Sequence, residues 1–127
     1  MSDAPKDSVG QIAWRDLTVP DAAKVRDFYC SVVGWRAEPV DMGGYSDFNM
    51  LPPAAGSEPV AGICYARAGN ANLPAQWLIY VTVADLDESM RRCVELGGKV
   101  INGPRNMGKQ RYCVIQDPAG AVAALIG

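Results

Sequence analysis

Hydrophobic and polar positions pass through the same series of rhythms twice along this chain. Residues 12–19 alternate with a period of two, which marks a strand. Trp14, Asp16 and Thr18 fall on one face, and Ala13, Arg15, Leu17 and Val19 on the other. The period then lengthens. Ala22, Val25, Tyr29, Val32 and Val33 recur at helical spacing, with Asp21 placed to cap the start and Gly34 to stop the end. Strand-like runs follow at residues 35–40, where Pro39 marks an irregular or edge strand, and at 45–51 after the Gly43-Gly44 turn. Another lies at 60–66, beyond a loop rich in Pro, Ala and Gly.

The series then restarts. Residues 77–83 are rich in aromatic and β-branched side chains and read as a strand. Asp85 and Glu88 have the spacing of a capping box, and Leu86, Met90, Cys93, Val94 and Gly97 line one helix face up to the stop at Gly97-Gly98. Residues 99–101 read as a short strand, 105–110 as a polar loop and 111–116 as a strand. Asp117-Pro118-Ala119-Gly120 is a tight turn, and 122–126 closes the chain as a strand.

Each half therefore reads βαβββ. Val19-Pro20-Asp21 and Val83-Ala84-Asp85 open the two helices 64 residues apart, and Gly34 and Gly98 keep the same offset. Two copies are too few for a solenoid, so the pattern points to an α+β domain of paired modules. The expected organisation is a flexible tail over residues 1–9, a first module over 10–68, a linker over 69–76 and a second module over 77–127.

Composition narrows the functions. The 127 residues suffice for a hydrophobic core. A net charge of −2, with the charges scattered, argues against nucleic acid and anionic membranes as partners. No apolar run approaches the roughly 18 residues of a bilayer span. The chain does not begin with a basic-then-apolar leader pattern, which predicts a cytoplasmic protein. Cys30, Cys64, Cys93 and Cys113 show no C-x-x-C spacing and read as reduced, buried small hydrophobes. The chain has no histidine, which removes the commonest metal ligand and the commonest general base near neutral pH.

The run from Trp14 to Asp21, then Phe28-Tyr29 and Gly34-Trp35, resembles the opening of the glyoxalase/bleomycin-resistance/extradiol-dioxygenase group, the vicinal oxygen chelate superfamily. Gly97-Gly98 and the run Gln116-Asp117-Pro118-Ala119-Gly120-Ala121 are similar to its closing signature. The resemblance implies two βαβββ modules, one helix each, pairing into a curved, cupped mixed β-sheet around a cavity. It also implies, for metal-dependent members, one ligand on the first strand and one on the last strand of each module, usually His and Glu. Carried over by position, those sites fall on Trp14, Gly62, Leu78 and Ala124. None has a side chain that binds a divalent ion. The expectation is no metal, no cofactor, and no lyase or dioxygenase chemistry routed through a metal.

An apolar cavity with a few polar groups would remain, the ordinary form of a small-molecule site. Its candidate ligand-binding residues are Trp14, Asp16, Thr18, Leu78, Tyr80, Gln116 and Ala124. Trp14 either stacks on a planar ligand or plugs the vacated metal site. Asp16 is a general base or ligand anchor if isolated in an apolar cup, and a structural carboxylate if paired. Tyr80 either donates to a ligand oxygen or packs locally. Arg105, Lys109 and Arg111 form a basic cluster that reads as a solvated loop or as a dock for an anionic tail, and Asp117 reads as the residue that fixes its own turn. Three functions follow. The first is a metal-independent protein that binds a small, partly aromatic or apolar molecule. The second is a metal-independent enzyme related to lactoylglutathione lyase, with Asp16 or Tyr80 as acid or base. The third is an assembly domain with a filled cavity. A homodimer is expected, since paired modules leave sheet edges to cover.

Overall fold

The computed structural model describes residues 8–127, so of the tail expected over residues 1–9 only Ser8 and Val9 are described. The chain divides into two compact units, Arg15–Trp77, and Leu78–Gly127 together with the N-terminal segment through Trp14. In chain order the elements are β1 (Ile12–Val19), α1 (Ala22–Val33), β2 (Arg36–Asp41), β3 (Ser46–Leu51), β4 (Ala61–Tyr65), β5 (Trp77–Thr82), α2 (Leu86–Glu95), β6 (Lys99–Met107), β7 (Gln110–Gln116) and β8 (Val122–Ile126). The fold is α+β, and the expected βαβββ order occurs twice.

In the first unit the strands lie in the order β2-β3-β4-β1, with β1 parallel to β4 and the other pairs antiparallel. Asp21 accepts the Lys24 backbone N–H at 3.2 Å and starts α1, while Gly34, at φ 85°, returns its N–H to the Cys30 carbonyl and ends it. The core consists of Leu17, Val19, Phe48, Met50, Ala61 and Ile63 from one face of the strands, closed by Ala22 of α1. Met50, Ala61 and Ile63 are essentially unexposed. The helical stripe expected through Val32 and Val33 ends early: the helix packs on the core through Ala22, Ala23, Val25, Tyr29 and Cys30, and both valines are exposed. Periodicity reports angle around the axis, and the last turn runs past the core.

The second unit repeats the plan in the order β5-β8-β7-β6, with β5 parallel to β8. Asp85 accepts the Glu88 N–H at 3.1 Å and starts α2. Leu86 is buried and Met90 and Cys93 half-buried, but Val94, expected on the same face, is exposed. The loop expected over 105–110 is a hairpin instead. β6 continues to Met107 and pairs Arg105 with Tyr112, Asn106 with Arg111 and Met107 with Gln110. β6 is the outer strand of this unit's order, and two register shifts, between Val100 and Asn102 and between Asn102 and Arg105, break its alternation. A ladder needs only backbone groups, so a polar, bulged strand leaves no period-two signal. No helix among the described residues is long and apolar enough to cross a membrane.

Candidate functional site

Each unit's strands have one face against a helix and one face without it. In the first unit the register sets Asp16 beside Gly62 and Thr18 beside Cys64, while Asn49 pairs with Gly62 from the other side. Residues paired across a ladder share a face, so Asp16, Thr18, Asp47, Asn49, Gly62 and Cys64 lie on the helix-free face, opposite Leu17, Phe48 and Ile63. In the second unit the equivalent pair is Tyr80 beside Ala124, with Val114 next across β8 and Gln116 beside Val122. The two pairs are the same position in the repeat: 64 residues separate Asp16 from Tyr80, and 62 separate Gly62 from Ala124.

The sequence-derived candidates therefore fall into two groups. Asp16 and Thr18 share a face in the first unit. Leu78, Tyr80, Gln116 and Ala124 share one in the second, where Leu78, Tyr80 and Ala124 are buried. Gln116 is drawn towards the turn that follows it, its Nε2 donating to the Gly120 carbonyl at 3.3 Å. Tyr80 lies 6.0 Å from the Tyr112 ring, centroid to centroid. Trp14 is half-buried on β1, on the same side of that strand as Asp16 and Thr18 by the pleat.

Three neighbours escaped the sequence reading. Asp47 accepts the Tyr65 backbone N–H at 2.9 Å and also a hydrogen bond from the Cys64 thiol. Burial pushes that thiol far above the usual cysteine range, and the negative charges of Asp16 and then Asp47 push it further, so Cys64 is a neutral thiol at physiological pH. Asn49 stands beside Gly62 on the same face. The alternation of Ser46-Asp47-Phe48-Asn49-Met50 carried the signal for Asp47 and Asn49. Placing them beside Asp16 required knowing that β4 lies between β3 and β1.

The positions at which the resemblance implies metal ligands bear an indole, a glycine hydrogen, a leucine and an alanine. Among the described residues no three His, Cys, Asp or Glu side chains come together in a group that could hold a metal ion. The residues present do not fit a divalent ion. Arg111, of the expected basic cluster, is held by Asp87 at 3.0 Å. Asp117 does fix its turn, accepting the N–H groups of Ala119 at 2.8 Å and Ala121 at 3.0 Å. All four cysteines are free thiols, but only Cys113 is fully buried, which corrects the expectation for the other three. Cys30 and Cys93 lie on helix flanks that the strands cover only in part.

Comparison with known proteins agrees with this architecture. The chain is 35% identical to the anthracycline biosynthesis protein DnrV of Streptomyces peucetius, in a match covering 91% of this chain and 46% of that protein. It is 31% identical to a putative glyoxylase, CFP32, of Mycobacterium bovis, covering 88% of this chain and 43% of that one. It thus spans about half the length of the curated relatives it matches. Among solved structures, a glyoxalase/bleomycin resistance protein/dioxygenase superfamily member from Vibrio splendidus aligns with a TM-score of 0.56 at 13% identity, covering 89% of this chain and 95% of that one. A methylmalonyl-CoA epimerase from Mycobacterium tuberculosis aligns at 0.52 and 18%, covering 97% and 91%. The model of the glyoxalase-like domain matches residues 14–126, and the chain belongs to that family.

Proposed function

We propose that this chain is a metal-independent small-molecule-binding protein whose ligand lies on the helix-free strand face and is partly aromatic or apolar. The observation that carries the reading is the pair of equivalent registers. Where a metal-binding relative would need donors, the repeat places Gly62 and Ala124, and beside them it places Asp16 and Tyr80, which can anchor a ligand but do not assemble a metal site. Gly62 and Ala124 present no bulky side chain and no charge on that face, while Asp16 and Tyr80 offer hydrogen-bonding groups. The name of the DnrV relative supports an aromatic ligand, since anthracyclines are flat fused-ring compounds. The protein acts as a homodimer in this reading, which light scattering at micromolar concentration checks.

A thermal-shift screen in the presence of a chelator tests it, using a panel of planar aromatic metabolites, aromatic antibiotics and carbonyl compounds. Ligands that bind the native state raise Tm, by about 2.7 kcal/mol of added stability at a hundred times Kd. The reading expects hits without metal that weaken in Asp16→Asn. A panel silent until a divalent ion is added would refute it.

A further inference from the structure

The first unit also carries an open groove of about 440 Å³ on the other side of its strands, beside α1. Leu17, Val19 and Val25 line it together with Phe28, Tyr29 and Trp77. We propose that this groove is a second binding site, for a flat, largely apolar anion such as an aromatic carboxylate or sulfonate.

Four observations carry the assignment. The first is shape and lining. The volume is that of a small-molecule pocket, and its walls are mostly apolar, with Lys24 and Gln76 among them, which suits a ring system carrying a polar group. The second is rigidity. Trp77 Nε1 donates to the Tyr29 hydroxyl oxygen at 3.0 Å, which ties the two rings together and satisfies the indole N–H. Trp35 packs against both rings, 5.9 Å from Tyr29 and 5.8 Å from Trp77. The third is Phe28. Its ring stands 88° to that of Tyr29 at 5.1 Å, forming a corner where a flat ligand can lie on one ring and meet the edge of the other. Phe28 is 57% exposed, a large apolar surface left in water by the protein alone. The fourth is charge. Lys24 lines the groove, and its ammonium makes no ion pair among the described residues, whereas its neighbour Arg26 is paired with Asp27 at 2.9 Å. A cation with no carboxylate partner among the described residues, at the edge of an aromatic groove, favours an anion. This groove and the helix-free face lie on opposite sides of the same strands, so the two proposals stand or fall separately.

The probe is 8-anilinonaphthalene-1-sulfonate, with its uncharged relative N-phenyl-1-naphthylamine as comparison. Titration of the folded chain should give saturable, blue-shifted dye emission together with energy transfer from tryptophan. Lys24→Glu should weaken the sulfonate about fivefold and leave the neutral dye unchanged, with the difference shrinking at high salt. Lys99→Glu, the same charge change at an exposed site on the second unit, should alter neither. Phe28→Ser should weaken both dyes about tenfold with no fall in Tm, since Phe28 is exposed. If Phe28→Ser does not fold, the Lys24→Glu comparison still decides. Equal sulfonate affinity in wild type and Lys24→Glu would overturn the proposal. So would concentration-dependent self-association of the wild type that Phe28→Ser abolishes, because the groove would then belong to a second copy of the chain.

Discussion

Gly98→Ala puts the geometry of the second module under direct strain. Gly98 joins the end of α2 to the start of β6, and its N–H closes on the Cys93 carbonyl at 2.8 Å. A Cβ there would stand 2.7 Å from Cys93 Sγ, 2.8 Å from the Gln116 carbonyl oxygen and 3.1 Å from the Cys93 carbonyl oxygen. The sulfur is the tip of a side chain and can rotate away. The oxygens are backbone, and Gln116 is the ladder partner of Lys99, so relief requires β6 to lift from β7 or α2 to lose its closing bond. Overpacking of this kind costs about 1–3 kcal/mol. The stiffer unfolded chain returns about 0.4–1 kcal/mol, leaving a net loss of roughly 1–2 kcal/mol. For 127 residues, an unfolding entropy of about 2.1 cal/mol/K per residue converts this to a fall in Tm of roughly 4–8 °C. Thermal and urea denaturation by circular dichroism measure it. Adding Cys93→Ala removes the sulfur and leaves both oxygens, so the double variant, compared with Cys93→Ala alone, should recover less than half of the loss. An unchanged or raised Tm in Gly98→Ala, or full recovery in the double variant, refutes the reasoning.

Ile63→Ala, at an unexposed site between Leu17 and Phe48, should cost about 2–5 kcal/mol and lower the urea midpoint with little change in slope. Glu88 is held down at about 2 by hydrogen bonds from Arg91, and then Arg92, on the exposed face of α2. Its folded value lies below its ordinary 4.5, so its support is present above that value and lost as pH falls through about 2. Paired denaturation curves should therefore show Glu88→Gln less stable near neutral pH and equal to wild type below about pH 2. Cys64 should resist a thiol reagent at pH 8 in the folded protein and react after unfolding, since burial and then Asp16 and Asp47 keep its thiol protonated. Rapid labelling of Cys64 in the native state, read by peptide mass, would contradict that.

The repeat was legible because each of its parts is local. Asp21 and Asp85 cap, Gly34 and Gly97-Gly98 stop, and periods of two and then 3.6 follow in order, so the elements and both helix starts emerge from short windows. What failed was non-local. Val32, Val33 and Val94 satisfy helical spacing yet point to no strand, because spacing carries no information on where the sheet ends. Residues 105–107 carry only polar and one methionine side chain, and an outer strand held by backbone bonds leaves no pattern of alternation. The grouping of Asp16 with Asp47 and Cys64 depends on β4 lying between β1 and β3, a matter of strand order. The groove beside α1 was hidden for the same reason, because Trp77 sits in β5 and yet bonds to Tyr29 of α1 across 48 positions of sequence.

The most direct test of metal-independent binding is a calorimetric titration of the strongest hit from the screen into chelator-treated protein, repeated after adding Zn²⁺ or Mn²⁺. The account predicts saturable binding without metal and the same affinity with it, because Trp14, Gly62, Leu78 and Ala124 supply no donor. Heat of binding that appears only after metal is added would contradict it.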